Sequence, residues 1–157
     1  MDFVIDAFTN QFLMTGMSSW LLAQFIKMII NLFTHKGVSL RSLFADGGMP
    51  SGHSATISSL ATSIGIVCGT GSVEFAITFI LTIIICNDAA GVRYETGQQS
   101  ILLNQIVKSF DDISKNKLPE IQLKELVGHT KLQVFFGILL GIANAFFMHY
   151  VVFANIA

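Results

Sequence analysis

Four stretches of this 157-residue chain are apolar and almost free of charge, at 11–34, 54–71, 73–90 and 134–154. Each approaches the ~20 residues that a helix needs to cross a bilayer, the second and third being short. In hydrocarbon the backbone must satisfy its own hydrogen bonds, so single apolar stretches of this kind fold as helices. Charged residues make up 12% of the chain, about half of the ~25% usual in a soluble domain. The sequence therefore predicts an all-α integral membrane protein, one membrane domain over 1–157 with about four transmembrane helices. Asp2 and Asp6 are acidic where a cleavable signal would be basic, so none is expected. Cys68 and Cys86 lie inside apolar stretches and read as small buried hydrophobes rather than a disulfide.

The stretches differ in kind. The first carries Lys27 in its last third. The second has no charge and is rich in Ser, Thr, Ala and Gly, which suits close helix packing. The third ends at Asn87 and Asp88, and the fourth is aromatic. Between the third and fourth, Leu102, Leu103, Ile106, Phe110 and Ile113 recur at helical spacing with charged residues between them. That pattern predicts an amphipathic interfacial helix over about 98–117, broken by Pro119.

Charge sets the orientation. With the N-terminus outside, one inner loop holds Lys36 and Arg41, and the other holds Arg93, Lys108, Lys115, Lys117, Lys124 and Lys131. The outer side then receives only Asp2, Asp6 and Glu74. This positive-inside bias predicts a multi-pass protein of the plasma membrane whose polar motifs face the cytoplasm. A net charge of −1 makes nucleic acid an unnatural partner.

Four polar clusters converge on that inner face. Lys27 is costly within a span and is a functional candidate, with snorkelling to the interface as the plainer reading. Residues 47–53, Gly-Gly-Met-Pro-Ser-Gly-His, precede a predicted helix that Ser51 or Ser54 can cap. Free N–H groups at such a start bind anions, and His53 stands beside them. The plainer reading is a helix-start turn with an incidental histidine. Asp88 and Arg93 follow, Arg93 offering a planar fork of donors to phosphate and the pair doubling as a helix anchor. Last comes His129, with Glu125 four residues before and Gln133 four after. A histidine can attack phosphorus when an acceptor holds its other nitrogen, and it can also simply complement a helix dipole. His53, His129, Asp88 and Glu125 lack the short spacings of a zinc site, so no metal is expected.

These residues together resemble a known family. GGMPSGHSA at 47–55, DAAGVR at 88–93, the stretch from Gln98 to Asn104, and KELVGHT with QVFFGILLG between 124 and 141 are similar to the divergent branch of the type 2 phosphatidic acid phosphatase and vanadium haloperoxidase superfamily. The resemblance also covers Ala23-Gln24-Phe25-Ile26-Lys27. It implies that Lys27, Arg93, Ser51 and the amides around Gly52 bind phosphate. It implies that His129 is the nucleophile, forming a phosphohistidine that water hydrolyses, and that His53 protonates the leaving alkoxide. No cofactor is implied.

Three departures stand out. The superfamily places its third-motif arginine six residues before the nucleophile, whereas residues 93 and 129 are 36 apart here. The gap must close by folding back. The usual first motif pairs its lysine with an Arg-Pro, for which Arg41 is a weak substitute. The position four after the nucleophile is usually acidic and here is Gln133, leaving Glu125 or Gln133 to orient the ring.

The expected function is metal-independent hydrolysis of a lipid phosphomonoester, of phosphatidylglycerophosphate or phosphatidate type. The alternatives are an isoprenoid diphosphate phosphatase and a non-enzymatic binding or transport protein for anionic lipids. The expected partners are the lipid phosphate and the bilayer. Four spans are few for the superfamily, which leaves room for a homo-oligomer that completes the packing.

Overall fold

The computed structural model describes residues 2–34, 48–113, 123 and 128–155, and every element among them is helical. We number them α1 (Asp2–Thr9), α2 (Gln11–Phe33), α3 (Gly52–Val67), α4 (Val73–Ala90), α5 (Val92–Ile113) and α6 (Lys131–Phe147). A π-helical turn, Met148–Val152, and a 3-10 turn, Phe153–Asn155, follow α6.

Side-chain oxygens start four of the helices. Asn10 accepts from the amides of Phe12 and Leu13, Ser51 from Ser54, Ser72 from Phe75, and Thr130 from Gln133. Each satisfies donors that the first helical turn leaves open. Of the two serines expected to cap α3, Ser51 is the one that does so.

The centre of the fold is α3, which packs on α6, α2 and α4. Its small residues Ser54, Ala55, Ser58, Ser59 and Ala61 are buried. Facing them, α6 presents Gly137 and Gly141. A Cβ at Gly137 would lie 2.6 Å from the Ser51 carbonyl, and one at Gly141 would run into Ser58 Oγ and the Ala55 carbonyl. The backbones meet because neither residue has a side chain, the arrangement that holds helices together where apolar burial cannot. Hydrogen bonds cross the same seams. Asn144 Nδ2 of α6 donates to Ser18 Oγ at 2.9 Å and Ser19 Oγ at 2.8 Å of α2. Ser58 Oγ donates to the Ile138 carbonyl at 3.3 Å.

Among the described residues, three stretches are long and apolar enough to cross a membrane: Gln11–Phe33, Val73–Phe110 and Lys131–Val152. The second expected span, 54–71, differs. It forms a 16-residue helix, α3, about 24 Å long at 1.5 Å per residue and short of the ~30 Å hydrocarbon layer. Its small residues serve as core. The expected amphipathic helix begins earlier than 98, directly after Gly91, and runs as α5 to Ile113; 114–117 lie outside the described residues. Both cysteines are free, but Cys68 is exposed at the end of α3 and Cys86 half-buried on α4, so the expectation of buried thiols fails for Cys68.

Candidate functional site

The site forms where the N-terminus of α3 is sunk between α2 and the start of α6. On α2, Trp20, Gln24 and Lys27 recur at i, i+4 and i+7 and so share one face. Lys27 is 5% exposed. Its aliphatic stem runs past Gly48, where a Cβ would lie 3.6 Å from Lys27 Cδ. A Cβ on Gly52 would lie 3.5 Å from the Trp20 ring and 3.6 Å from Gln24 Nε2. The first turn of α3 is thus held against the same α2 face that carries the lysine. Ser51 is fully buried, its amide donating to the Gln133 carbonyl at 3.0 Å.

His129 is 3% exposed and lies just before α6. Its Nδ1 is 3.2 Å from Gln133 Oε1. The same oxygen accepts the Thr130 amide at 3.1 Å, while Thr130 Oγ1 accepts the Gln133 amide at 3.4 Å. This reciprocal pair is a capping box. The Thr130 N–H can point only at an oxygen, so the Gln133 amide is fixed with its carbonyl toward His129. Nδ1 then donates, and in the neutral ring Nε2 carries the lone pair. The His53 ring lies 6.4 Å from that of His129, centroid to centroid, tilted by 59°. His53 itself is exposed.

Burial pushes the His129 pKa below its ordinary value; the hydrogen bond that Nδ1 donates to Gln133 offsets part of this, and the charges of Lys27 and His53 lower it further. A link to the Gly48 backbone also favours the protonated ring, but less. His129 is therefore held as a neutral imidazole where an ordinary histidine would begin to protonate.

The gap between Arg93 and His129 closes through backbone contacts. Gly128, at φ 87°, lies directly on the Arg93–Tyr94 peptide, and a Cβ there would lie 2.5 Å from the Arg93 carbonyl carbon. The His129 amide donates to the Ala89 carbonyl at 2.9 Å. Farther out, Asn104 brackets residue 123, donating to the Leu123 carbonyl at 3.0 Å and accepting its amide at 3.1 Å. The Arg93 side chain is 46% exposed, and its Nε donates to Asp88 Oδ2 at 2.6 Å. Asp88 thus acts on Arg93 rather than on His129.

Lys27, Ser51, Gly52, His53, His129 and Gln133 are brought together, with Asp88 and Arg93 at the adjoining α4–α5 junction. Glu125 and Arg41 lie outside the described residues. No three His, Cys, Asp or Glu side chains gather as metal ligands among the described residues. Sequence reasoning missed Trp20 and Gln24 as neighbours of the α3 start, although their spacing from Lys27 carried the signal. It also missed Asn104 as a tie, which no local pattern announces.

Comparison with known proteins gives the family. A family model described as the divergent PAP2 family matches residues 8–144. The chain belongs to that family. It is also 34% identical over 147 residues to an uncharacterized membrane protein, YuiD, of Bacillus subtilis strain 168, covering 88% of this chain and 93% of the relative. No solved structure matches. The match to the divergent PAP2 family runs from before α2 into α6, so it includes every residue of the site. With its membrane-capable helices and membrane-protein relative, this divergent PAP2 chain is a multi-pass membrane protein.

Proposed function

We propose that this protein is a metal-independent phosphatase of lipid phosphomonoesters, of phosphatidate or phosphatidylglycerophosphate type, with its site on the cytoplasmic face of the plasma membrane. The observation that carries the reading is His129, buried, neutral and held at Nδ1 by Gln133, with His53 6.4 Å away and Lys27 nearby.

His129 Nε2 donates its lone pair to phosphorus as the bond from phosphorus to the lipid oxygen breaks. His53, protonated, gives its proton to the departing alkoxide. Water then attacks the phosphohistidine and passes a proton to His53 as inorganic phosphate leaves. Lys27, the Ser51 hydroxyl, the Gly52 amide and Arg93 neutralise charge on the equatorial oxygens. Asp88 positions Arg93. Gln133 holds the His129 tautomer without balancing its positive charge, a role the bound phosphate dianion takes instead.

The test is phosphate release from phosphatidate and phosphatidylglycerophosphate by purified protein in detergent with chelator. Release that survives chelator and disappears in His129→Ala supports the reading. No release from either lipid by the natural protein or by Gln133→Glu overturns it in favour of anionic-lipid binding or transport.

A further inference from the structure

An apolar groove of about 310 Å³ runs along the seam between α2 and α6. Ile26 and Ile30 form one wall, Phe136, Leu139 and Leu140 the other, and Met49 with Pro50 the end. We propose that this groove holds one hydrocarbon chain of the lipid whose phosphate occupies the His129 site. The inference rests on the lipid-phosphate reading of that site.

Three observations carry it. The groove adjoins the site along three segments of the chain. Pro50 is bonded to the capping Ser51, Ile26 precedes Lys27, and Phe136 lies one turn beyond Gln133. A group held by the donors is therefore next to the groove without crossing another element.

Depth gives the second. Lys27 lies six residues before the end of α2 at Phe33, so the site is recessed about 9 Å below that end at 1.5 Å per residue. The chains of a lipid whose phosphate is bound at that level run into the hydrocarbon past the walls of α2 and α6, where the groove opens.

Chemistry gives the third. All seven lining residues are apolar, and the volume sits at the low end of the ~300–1,000 Å³ typical of ligand pockets. A polar headgroup has no partner in it, whereas an alkyl chain needs none. Ionic contacts beside it select the phosphate end, so together the two parts distinguish a lipid phosphate from bulk lipid of the same chain length.

The test uses the full chain in nanodiscs with phosphatidate carrying a diazirine in one acyl chain. Phosphatidylcholine with the same labelled chain serves as the bulk-lipid probe. Labelled peptides are mapped by mass spectrometry, and phosphate release from unlabelled phosphatidate is read in parallel.

Phosphatidate is expected to label 26–30 or 136–140 about tenfold more than phosphatidylcholine does. Leu139→Trp fills the groove from a half-exposed position, and Ile26→Trp fills it from the opposite wall; either should remove that preference. Equal labelling by the two lipids, or labelling concentrated on α4 and α5, overturns the proposal. Groove labelling without phosphate release keeps the groove and removes the hydrolytic reading. Release without groove preference does the reverse.

Discussion

The two sides of this molecule are built on opposite principles. On one side α2, α3 and α6 meet through small and polar residues, with Thr15, Ser19, Ser54, Ser59 and Asn144 buried among them. On the other, α4 buries only Ala89 and turns Ile77, Ile80 and Ile84 outward. Greasiness is thus inverted relative to a soluble protein. In a bilayer the apolar helix gains nothing by hiding from its surroundings, so hydrogen bonds and close backbone contact select what packs. The site lies on the packed side because a recessed lysine, a buried histidine and a sunken helix start need rigid walls. The α4–α5 side contributes mainly its junction.

The largest expected effect tests that division directly. Gly141→Leu drives a side chain into the α3 backbone and should cost more than about 4 kcal/mol, with loss of the folded protein. Ile84→Ala on the outward face of α4 should change stability by less than about 0.5 kcal/mol. Thermal or denaturant unfolding in detergent, read for both, breaks the comparison if the two variants behave alike.

Gly128→Val comes next. The variant faces both a positive φ and the Arg93–Tyr94 peptide, so the His129 loop must lift away from the α4–α5 junction. A displacement of about 1 Å at a catalytic group can cost ~10²-fold in rate. Phosphate release should fall by that order while helix content and melting change little. An unaltered rate would show that the α4–α5 side does not position the nucleophile.

Gln133→Glu sharpens the electrostatics. Glutamate suits the same capping box, so the change adds charge without removing the cap. Neutral His129 is the reacting form, and its pKa lies below the ordinary ~6.5. The acid limb of the rate profile should therefore fall below that pH, with activity lost only as pH drops through the depressed pKa. A carboxylate beside the ring raises the pKa, so the limb should move up by about one unit or more. On the plateau above it the rate should rise, because the carboxylate also stabilises the imidazolium. A pH–rate profile in which neither limb nor plateau moves removes Gln133 from the site.

The smallest effect on the rate belongs to Asn104→Ala. It removes two hydrogen bonds that tie residue 123 to α5, at about 1 kcal/mol each at most. The rate should fall a few-fold, and hydrogen exchange should quicken around residue 123. Unchanged exchange would show that Gly128 and His129 alone hold the returning chain.

Much of the fold was legible because lipid makes strong demands on sequence. Helical character, the membrane stretches at 11–34, 73–90 and 134–154, and the small-residue packing of 54–71 all follow from which side chains hydrocarbon tolerates. The candidate site was legible at Lys27, His53, Arg93 and His129 because ionisable groups are costly near a membrane and so stand out. The role of α3 was less legible. Its composition reads equally as a short span or as a core helix, and only its neighbours distinguish the two.

The sequence by itself determined that this chain is a helical membrane protein, related to the PAP2 superfamily, with histidines, a lysine and an arginine on one side of its pattern. Tertiary structure decided that α3 is the short central helix. It also decided that Gly128 carries His129 back across 36 residues to the Arg93 junction, and that one oxygen of Gln133 serves both the helix cap and the imidazole. The reason is physical. Hydropathy and charge act residue by residue and are readable in order along a chain, whereas a backbone resting on a distant peptide or an oxygen shared by two donors exists only once the helices have met.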